Sequence, residues 1–481
     1  MTITTLPDLG RTRHSAVKRE RWSTPRKLVV LGSLAVLLTA ILGIVIASAA
    51  STESSEVDLL GSRTAPQVTV TTDLSFALSD LDAEAANALL VGNGPAMADA
   101  RSNALSGYEQ RRTQVDADLQ QAAIDASTDP DSEKEIGATI NAAGQYESLI
   151  SQALLVSQQG GDLAGQPSAA TIELYRQATN VIDVSLDNIT QLVISTQGNF
   201  NDTYDQDSAD SVTAQIWIGL LGGVLILVLI VIQIQLRLRQ RRRLNPALLA
   251  GTVIALLVTI LSTTALGGEA GNLHAAKQDA FDSIVALSQA RATSYSANGD
   301  ESRYLLDHDG ASDDEQAFLT NLDALAGIEA ADLPSYQTNL ASTLQVYQQD
   351  HRTIDFEGYF ATELRNITFP GEQQAADQVL AAYQTYLAAD QHLRALATSG
   401  DRTGAIQFDI GVTPGNSDAD FNAYDKALVN LIQINQGAFT ADIGAAQSEL
   451  SGWSLTIPLI TALLVIGLLT LGLRPRIAEY R

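Results

Sequence analysis

The chain has no cysteine among its 481 residues. That excludes a disulfide framework, cysteine-type zinc sites, iron–sulfur clusters and thiol catalysis, and it carries no information on redox compartment. Basic residues are few, 29 against 55 acids, for a net charge of −26. A surface of that sign is a poor partner for nucleic acid, because neutralising phosphates needs clustered base. Aromatics make up only 5% of the chain and prolines number 12. Sustained alternation of apolar and polar residues is also missing; its nearest instance, Gln67 to Thr72, is short and follows Pro66.

What is present is segregated. Mean hydropathy is only +0.06, yet four uncharged apolar runs stand out: Leu28–Ala50, Ile216–Leu236, Ala247–Gly267 and Trp453–Leu473. A hydrocarbon core of ~30 Å needs about 20 helical residues, so each run predicts a membrane-spanning helix. The three tryptophans, Trp22, Trp217 and Trp453, fall at span edges, where an amphipathic ring favours the headgroup layer. The first run has a rival reading as a signal peptide, with Ser48-Ala49-Ala50 as a cleavage site. It is longer than a typical signal core, and an uncleaved anchor is the expectation.

Fifteen of the 29 bases lie in residues 1–27, 237–243 and 474–481. The positive-inside rule makes those segments cytoplasmic and the acidic segments 51–215 and 268–452 extracytoplasmic. The expected boundaries are 1–27, 28–50, 51–215, 216–236, 237–246, 247–267, 268–452, 453–473 and 474–481, alternating cytoplasmic, span and outer segments of a multi-pass cell-membrane protein. Apolar residues in the outer segments recur at helical spacing, for example Tyr175, Ala178, Ile182, Leu186, Ile189 and Val193. The predicted fold is therefore an all-α membrane protein with four transmembrane helices and two extracytoplasmic helical bundles.

Breakers divide each bundle into about four helices: around 92–95, 127–130 and 160–167 in the first, and 298–300, 309–310, 369–371 and 413–416 in the second. Between Ala419 and Gly472 few breaks occur, which predicts one rod of about 50 residues, or ~75 Å. The words Ser195–Phe200 and Ile434–Phe439 precede the second and fourth spans, and Ala77-Leu78-Ser79 matches Ala286-Leu287-Ser288. Order and distance from the spans agree, so a parallel internal duplication is expected.

Chemistry is sparse. The sequence shows no phosphate-binding glycine loop, zinc-type histidine pair or nucleophile elbow. The five histidines are scattered singly. No catalytic residue, cofactor or metal ligand is assigned, and an enzyme is not expected. The segment Asp307 to Glu315 resembles a calcium loop but places Leu305 and Gln316 at its first and last ligand positions, so a solvated turn is the reading. The spans lack ionisable groups, which disfavours a transporter.

In so acidic a surround a small carboxylate ligand needs an arginine fork. Arg291, Tyr295, Arg303 and Arg365 are the candidates, against the alternative that each arginine pairs with a neighbouring acid. Phe356, Tyr359, Phe360 and Phe369 crowd into one short stretch, either as an exposed protein-docking patch or as a local core. Arg237, Arg239, Arg241, Arg242 and Arg243 set topology and are also candidates for gripping an acidic partner or anionic lipid.

A membrane-anchored helical bundle of this composition resembles the four-helix sensory domains of chemoreceptors, without their cytoplasmic output modules. The doubled layout of four spans, two outer helical domains and almost no cytosolic mass resembles the actinobacterial GlnX family. That resemblance rests on topology over the whole chain and carries over no functional residue. It implies a non-enzymatic relay of amino-acid sensing between an extracytoplasmic solute-binding lipoprotein and a cytoplasmic serine/threonine kinase, protein kinase G. A homodimer is compatible with it. The alternative is a cell-envelope scaffold that does not switch.

Overall fold

The computed structural model describes residues 24–126, 130–240 and 245–478. Fourteen α-helices carry these residues, with no strand among them beyond a single bridge of Leu163 to Gln166. The helices are α1 (Thr24–Leu59), α2 (Ala65–Leu90), α3 (Ala98–Ala126), α4 (Pro130–Gly160), α5 (Ala169–Gln240), α6 (Pro246–His274) and α7 (Asp282–Leu306). Then follow α8 (Ala311–Ala326), α9 (Leu333–Gln349), α10 (Gly358–Arg365), α11 (Glu372–Thr398), α12 (Arg402–Asp409), α13 (Ser417–Glu449) and α14 (Thr456–Ala478). The predicted all-α class is what the chain adopts. The stretch Gln67 to Thr72 is helical.

The chain divides into two compact units. One comprises the segment ending at Ala50, Thr213–Thr264 and the segment from Gly452. Its four helices are long and apolar enough to cross a membrane and fit a multi-pass membrane protein. Ile44, Leu227 and Leu463 point outward, each more than 60% exposed, as a lipid-facing surface requires. Small residues let the backbones approach: Gly222 lies against Thr259, and a methyl on Gly43 would reach Ala462 at 3.6 Å. Polar side chains bond across the helices as well, Gln233 Nε2 to Thr252 Oγ1 at 2.8 Å and Asn245 Nδ2 to the Gly472 carbonyl at 3.0 Å.

The other unit comprises Ser51–Val212 and Ala265–Ser451. Both acidic segments, expected as separate bundles, fold here into this one unit. The cause is that α2 and α7 are buried on nearly every face. A helix without a polar face must be enclosed by others, and each supplies part of the other's cover. Phe76 of α2 joins the core of α7–α11 and α13, while Leu305 and Leu306 of α7 join the core of α2–α5.

Contacts along the α2–α7 seam advance together on both helices: Ser296 Oγ donates to Ser79 Oγ at 3.0 Å, Gly299 faces Ala83, and Ser302 Oγ donates to Asn87 Oδ1 at 2.6 Å. The two helices therefore run parallel. Gly299 was expected to break the helix at 298–300. Instead α7 runs straight through it, because a methyl there would already meet Arg303 Nη1 at 3.3 Å and Ala83 Cα at 3.5 Å. The glycine serves close helix approach.

The breaks near 92–95, 160–167, 309–310, 369–371 and 413–416 are real, whereas residues 127–129 lie outside the described residues. The 50-residue rod does not form. α13 stops at Glu449, and Gly452 adopts φ +81°, a left-handed turn that ends one helix before α14 begins. The long uninterrupted helix is α5, with 72 residues.

Each half shares one further order. A helix long and apolar enough to cross a membrane, α1 or α6, is followed by a π-helical segment, Leu60–Thr64 or Ala275–Phe281, and then by α2 or α7. Phe200 and Phe439, from the two matching sequence words, both pack on Phe281, with ring centroids 3.9 and 5.7 Å away.

Candidate ligand-binding site

Polar groups converge on a cavity of about 220 Å³ lined by α2, α3, α7 and α13. From α2 come Asp80 and Glu84, one turn apart; α3 supplies Arg111; α7 supplies Tyr295 and Asn298; Asp418 and Phe421 stand at the start of α13. Three carboxylates thus face one guanidinium, and that one is engaged: Arg111 pairs with Asp80, and its Nη1 donates to Gln114 at 2.7 Å. The aromatic wall is held edge to face, Phe76 on Tyr295 at 4.8 Å and Tyr295 on Phe421 at 4.8 Å.

The electrostatics are under-compensated. Burial outweighs the Arg111 guanidinium and holds the Asp80 carboxyl up to about 6. Burial, then the charges of Asp80 and Asp418, push Glu84 up to about 8. Asp418 is raised by burial and by Asp80. A ligand bringing positive charge relieves this, and a cation next to Tyr295 and Phe421 gains from ring faces as well. The chemistry offered is recognition of a small ammonium or guanidinium group, with the Asn298 side-chain oxygen as a further acceptor.

A raised pKa in the folded state means that folding takes up protons. Stability is therefore full below the ordinary glutamate value of 4.5 and is lost as pH rises through about 8 for Glu84. Thermal unfolding between pH 5 and 8.5 should show this loss, and Glu84→Gln should remove its share of the slope.

The candidate residues from sequence scatter. Tyr295 lines the cavity. Arg291 sits beside it, bonded to Asp425 through Nε at 2.5 Å and Nη2 at 3.1 Å, with its guanidinium 3.7 Å from the Phe76 ring centroid. Arg303 is locked between Asp82 and Asp300. Arg365 is exposed and donates to the Phe356 carbonyl at 3.2 Å. Arg291, Arg303 and Arg365 do not come together as one fork.

Phe356 and Phe360 belong to the core, so they are corrected from docking patch to packing; Tyr359 packs partly buried against them and Phe369 is half-buried. The reason is local. The short α10 lays its apolar face on α7 and α8 rather than presenting it outward. Arg237 is exposed in the last turn of α5, which also contains Arg239. Arg241, Arg242 and Arg243 lie outside the described residues. In the calcium-like segment, Asp307 is held by Arg176 at 2.6 and 2.8 Å and caps Gly310 N at 3.2 Å, as a structural turn does.

Sequence reasoning missed Asp80, Glu84, Arg111 and Asp418. The signal was Asp80, Asp82 and Glu84 lying inside the Ala/Leu-rich run from Leu74 to Leu90, which leaves those acids no solvated face.

Residues 56–205 match the family model of the actinobacterial sensor domain. That match supports a sensor protein with a sensing and signalling role, and it points to non-catalytic signalling. Asp80, Glu84 and Arg111 fall within the matched residues, whereas Tyr295, Asp418 and Phe421 come from the second half. No curated protein and no solved structure matches the chain.

Proposed function

We propose that this chain is a non-enzymatic transmembrane signal relay whose acidic cavity senses a small molecule bearing an ammonium group, an amino acid or related amine. The observation that carries the reading is the cavity's makeup: three carboxylates against one already paired arginine, walled by helices of both halves. A ligand there touches α2 and α7 together. Those are the helices that follow α1 and α6 after only a short π-helical segment. A shift of an ångström between packed helices can select one of two arrangements, and a binding difference of ~1–3 kcal/mol suffices for a graded response.

The remaining parts of the proposal rest on the sequence. Clustered bases favour cytoplasmic termini and an extracytoplasmic helical unit. The shared order of span, π-helical segment and buried helix, with α2 and α7 parallel, supports a parallel duplication. Resemblance to the GlnX family suggests a solute-binding lipoprotein as donor and a serine/threonine kinase as cytoplasmic partner, with the Arg237–Arg243 segment as the gripping surface.

The test is direct binding. Purified full-length protein in mild detergent should be stabilised by members of a panel of amino acids and amines. Glu84→Gln and Asp418→Asn should weaken that binding at least about tenfold, the loss of ~1.4 kcal/mol expected for one charge-assisted contact. A panel without any stabilising member would sink the reading. Partner recovery that ignores external ligand would instead favour the scaffold.

A further inference from the structure

A second set of acids meets on α1, α5 and α6. Glu53 and Glu56 lie one turn apart on α1, Asp207 lies on α5 and Glu269 on α6. Carboxylate oxygens of Glu53, Glu56 and Asp207 fall within 4.8 Å of one another. Asp207 and Glu269 are fully buried, and Glu53 is 1% exposed. Both oxygens of Asp207, both of Glu269, and Oε2 of Glu53 and of Glu56 have no hydrogen-bond partner among the described residues. The charged neighbours acting on Glu53, Glu56 and Glu269 are other carboxylates throughout.

Buried charges are found paired or coordinating a metal. Protons shared by Glu53 and Glu56 with Asp207 would pair three of the four side chains. Glu269 is the observation such sharing leaves over: a fully buried carboxylate with neither oxygen bonded, near enough for the charges of Asp207 and Glu56 to act on it. Burial, followed by the charges of Asp207 and Glu56, pushes its carboxyl up to about 8.

We propose that Glu53, Glu56, Asp207 and Glu269 bind one hard divalent cation of the calcium class, clamping α1, α5 and α6 together. Calcium takes about 6–8 oxygen ligands in adaptable geometry, and four carboxylates offer up to eight, mono- or bidentate. Magnesium needs near-octahedral geometry and retains waters, which suits a fully buried group less. Hydrophobic packing backs the site along the same helices: Val57, Phe200 and Leu273 belong to one cluster with Phe281. The expected affinity is about 10⁻⁴–10⁻³ M, the range of extracellular calcium modules.

The test uses the chelator-stripped full-length protein in detergent, with equilibrium ⁴⁵Ca²⁺ binding and thermal unfolding with and without Ca²⁺ or Mg²⁺. Wild type should take up one Ca²⁺ per chain, gain thermal stability and prefer Ca²⁺ over Mg²⁺. Asp207→Asn and Glu269→Gln should bind at least about tenfold more weakly. Without metal both variants should unfold at a higher temperature than wild type, because like-charge crowding is relieved. Asp309→Asn, in the rejected loop, should bind as wild type does. Wild type that binds neither ion at millimolar concentration overturns the proposal and leaves a proton-held cluster. So does binding that survives in a folded Glu269→Gln, or that is lost in Asp309→Asn. Cation uptake is read directly, so its failure is separate from failure of the relay.

Discussion

Arg303→Met should destabilise the helical unit by ~3–5 kcal/mol, the cost of stranding buried charge. The guanidinium bonds Asp82 on α2 and Asp300 on α7, and its Nε lies 3.9 Å from Asp314 on α8. Those acids are tied in turn to other elements. Tyr146 Oη of α4 donates to Asp82 Oδ1 at 3.0 Å, and Asn321 Nδ2 of α8 donates to Asp300 Oδ2 at 2.8 Å. Asp82 is 4% exposed and Asp300 is 1% exposed, so neither regains water when its cation goes. Urea unfolding followed by far-UV circular dichroism measures the loss. Adding Asp82→Asn and Asp300→Asn to Arg303→Met should restore part of it, since neutral amides need no counter-ion. Arg365→Met, at an exposed position, should change stability by no more than ~0.5 kcal/mol. Equal effects at positions 303 and 365 would refute the buried network.

That contrast marks how far the sequence could be read. The four helices long and apolar enough to cross a membrane were legible because a run of about 20 apolar residues has few other uses, and the helical class followed from spacing alone. Arg303 and Arg365 looked alike, because what separates them is tertiary. One lies in the seam between α2 and α7, which no local pattern announces, and the other on the end of a short surface helix. Gly299 misled for the same reason: its role is contact with Ala83, 216 positions away. Gly452 was readable as a breaker but was overlooked in favour of the apolar pattern around it. Asp80 and Asp82 are buried and Glu84 is half-buried because a helix with Ala and Leu on every side offers them little solvent, a sign that their place in the acidic segment 51–215 hides. The acids Glu53, Glu56, Asp207 and Glu269 come from three helices far apart in sequence, so only the fold could assemble them.

Locking α2 to α7 should silence the relay while leaving the fold more stable. Ser79 Oγ and Ser296 Oγ stand 3.0 Å apart, and sulfur atoms on the longer Cβ–S bonds come nearer still, within reach of the ~2.05 Å disulfide length. The native chain has no cysteine, so Ser79→Cys with Ser296→Cys forms one defined pair against a clean background. The bridge closes a loop of 217 positions and should add ~2–4 kcal/mol to stability. If ligand binding works by moving these two helices against each other, the oxidised protein holds one arrangement. Ligand then no longer changes which cytoplasmic partners are recovered, and dithiothreitol restores the difference. Each single-cysteine variant should respond as wild type does, which separates the cross-link from the substitution. A cross-linked protein that still answered ligand in full would place the moving element elsewhere, in α3 or α13, since these are the other helices lining the cavity.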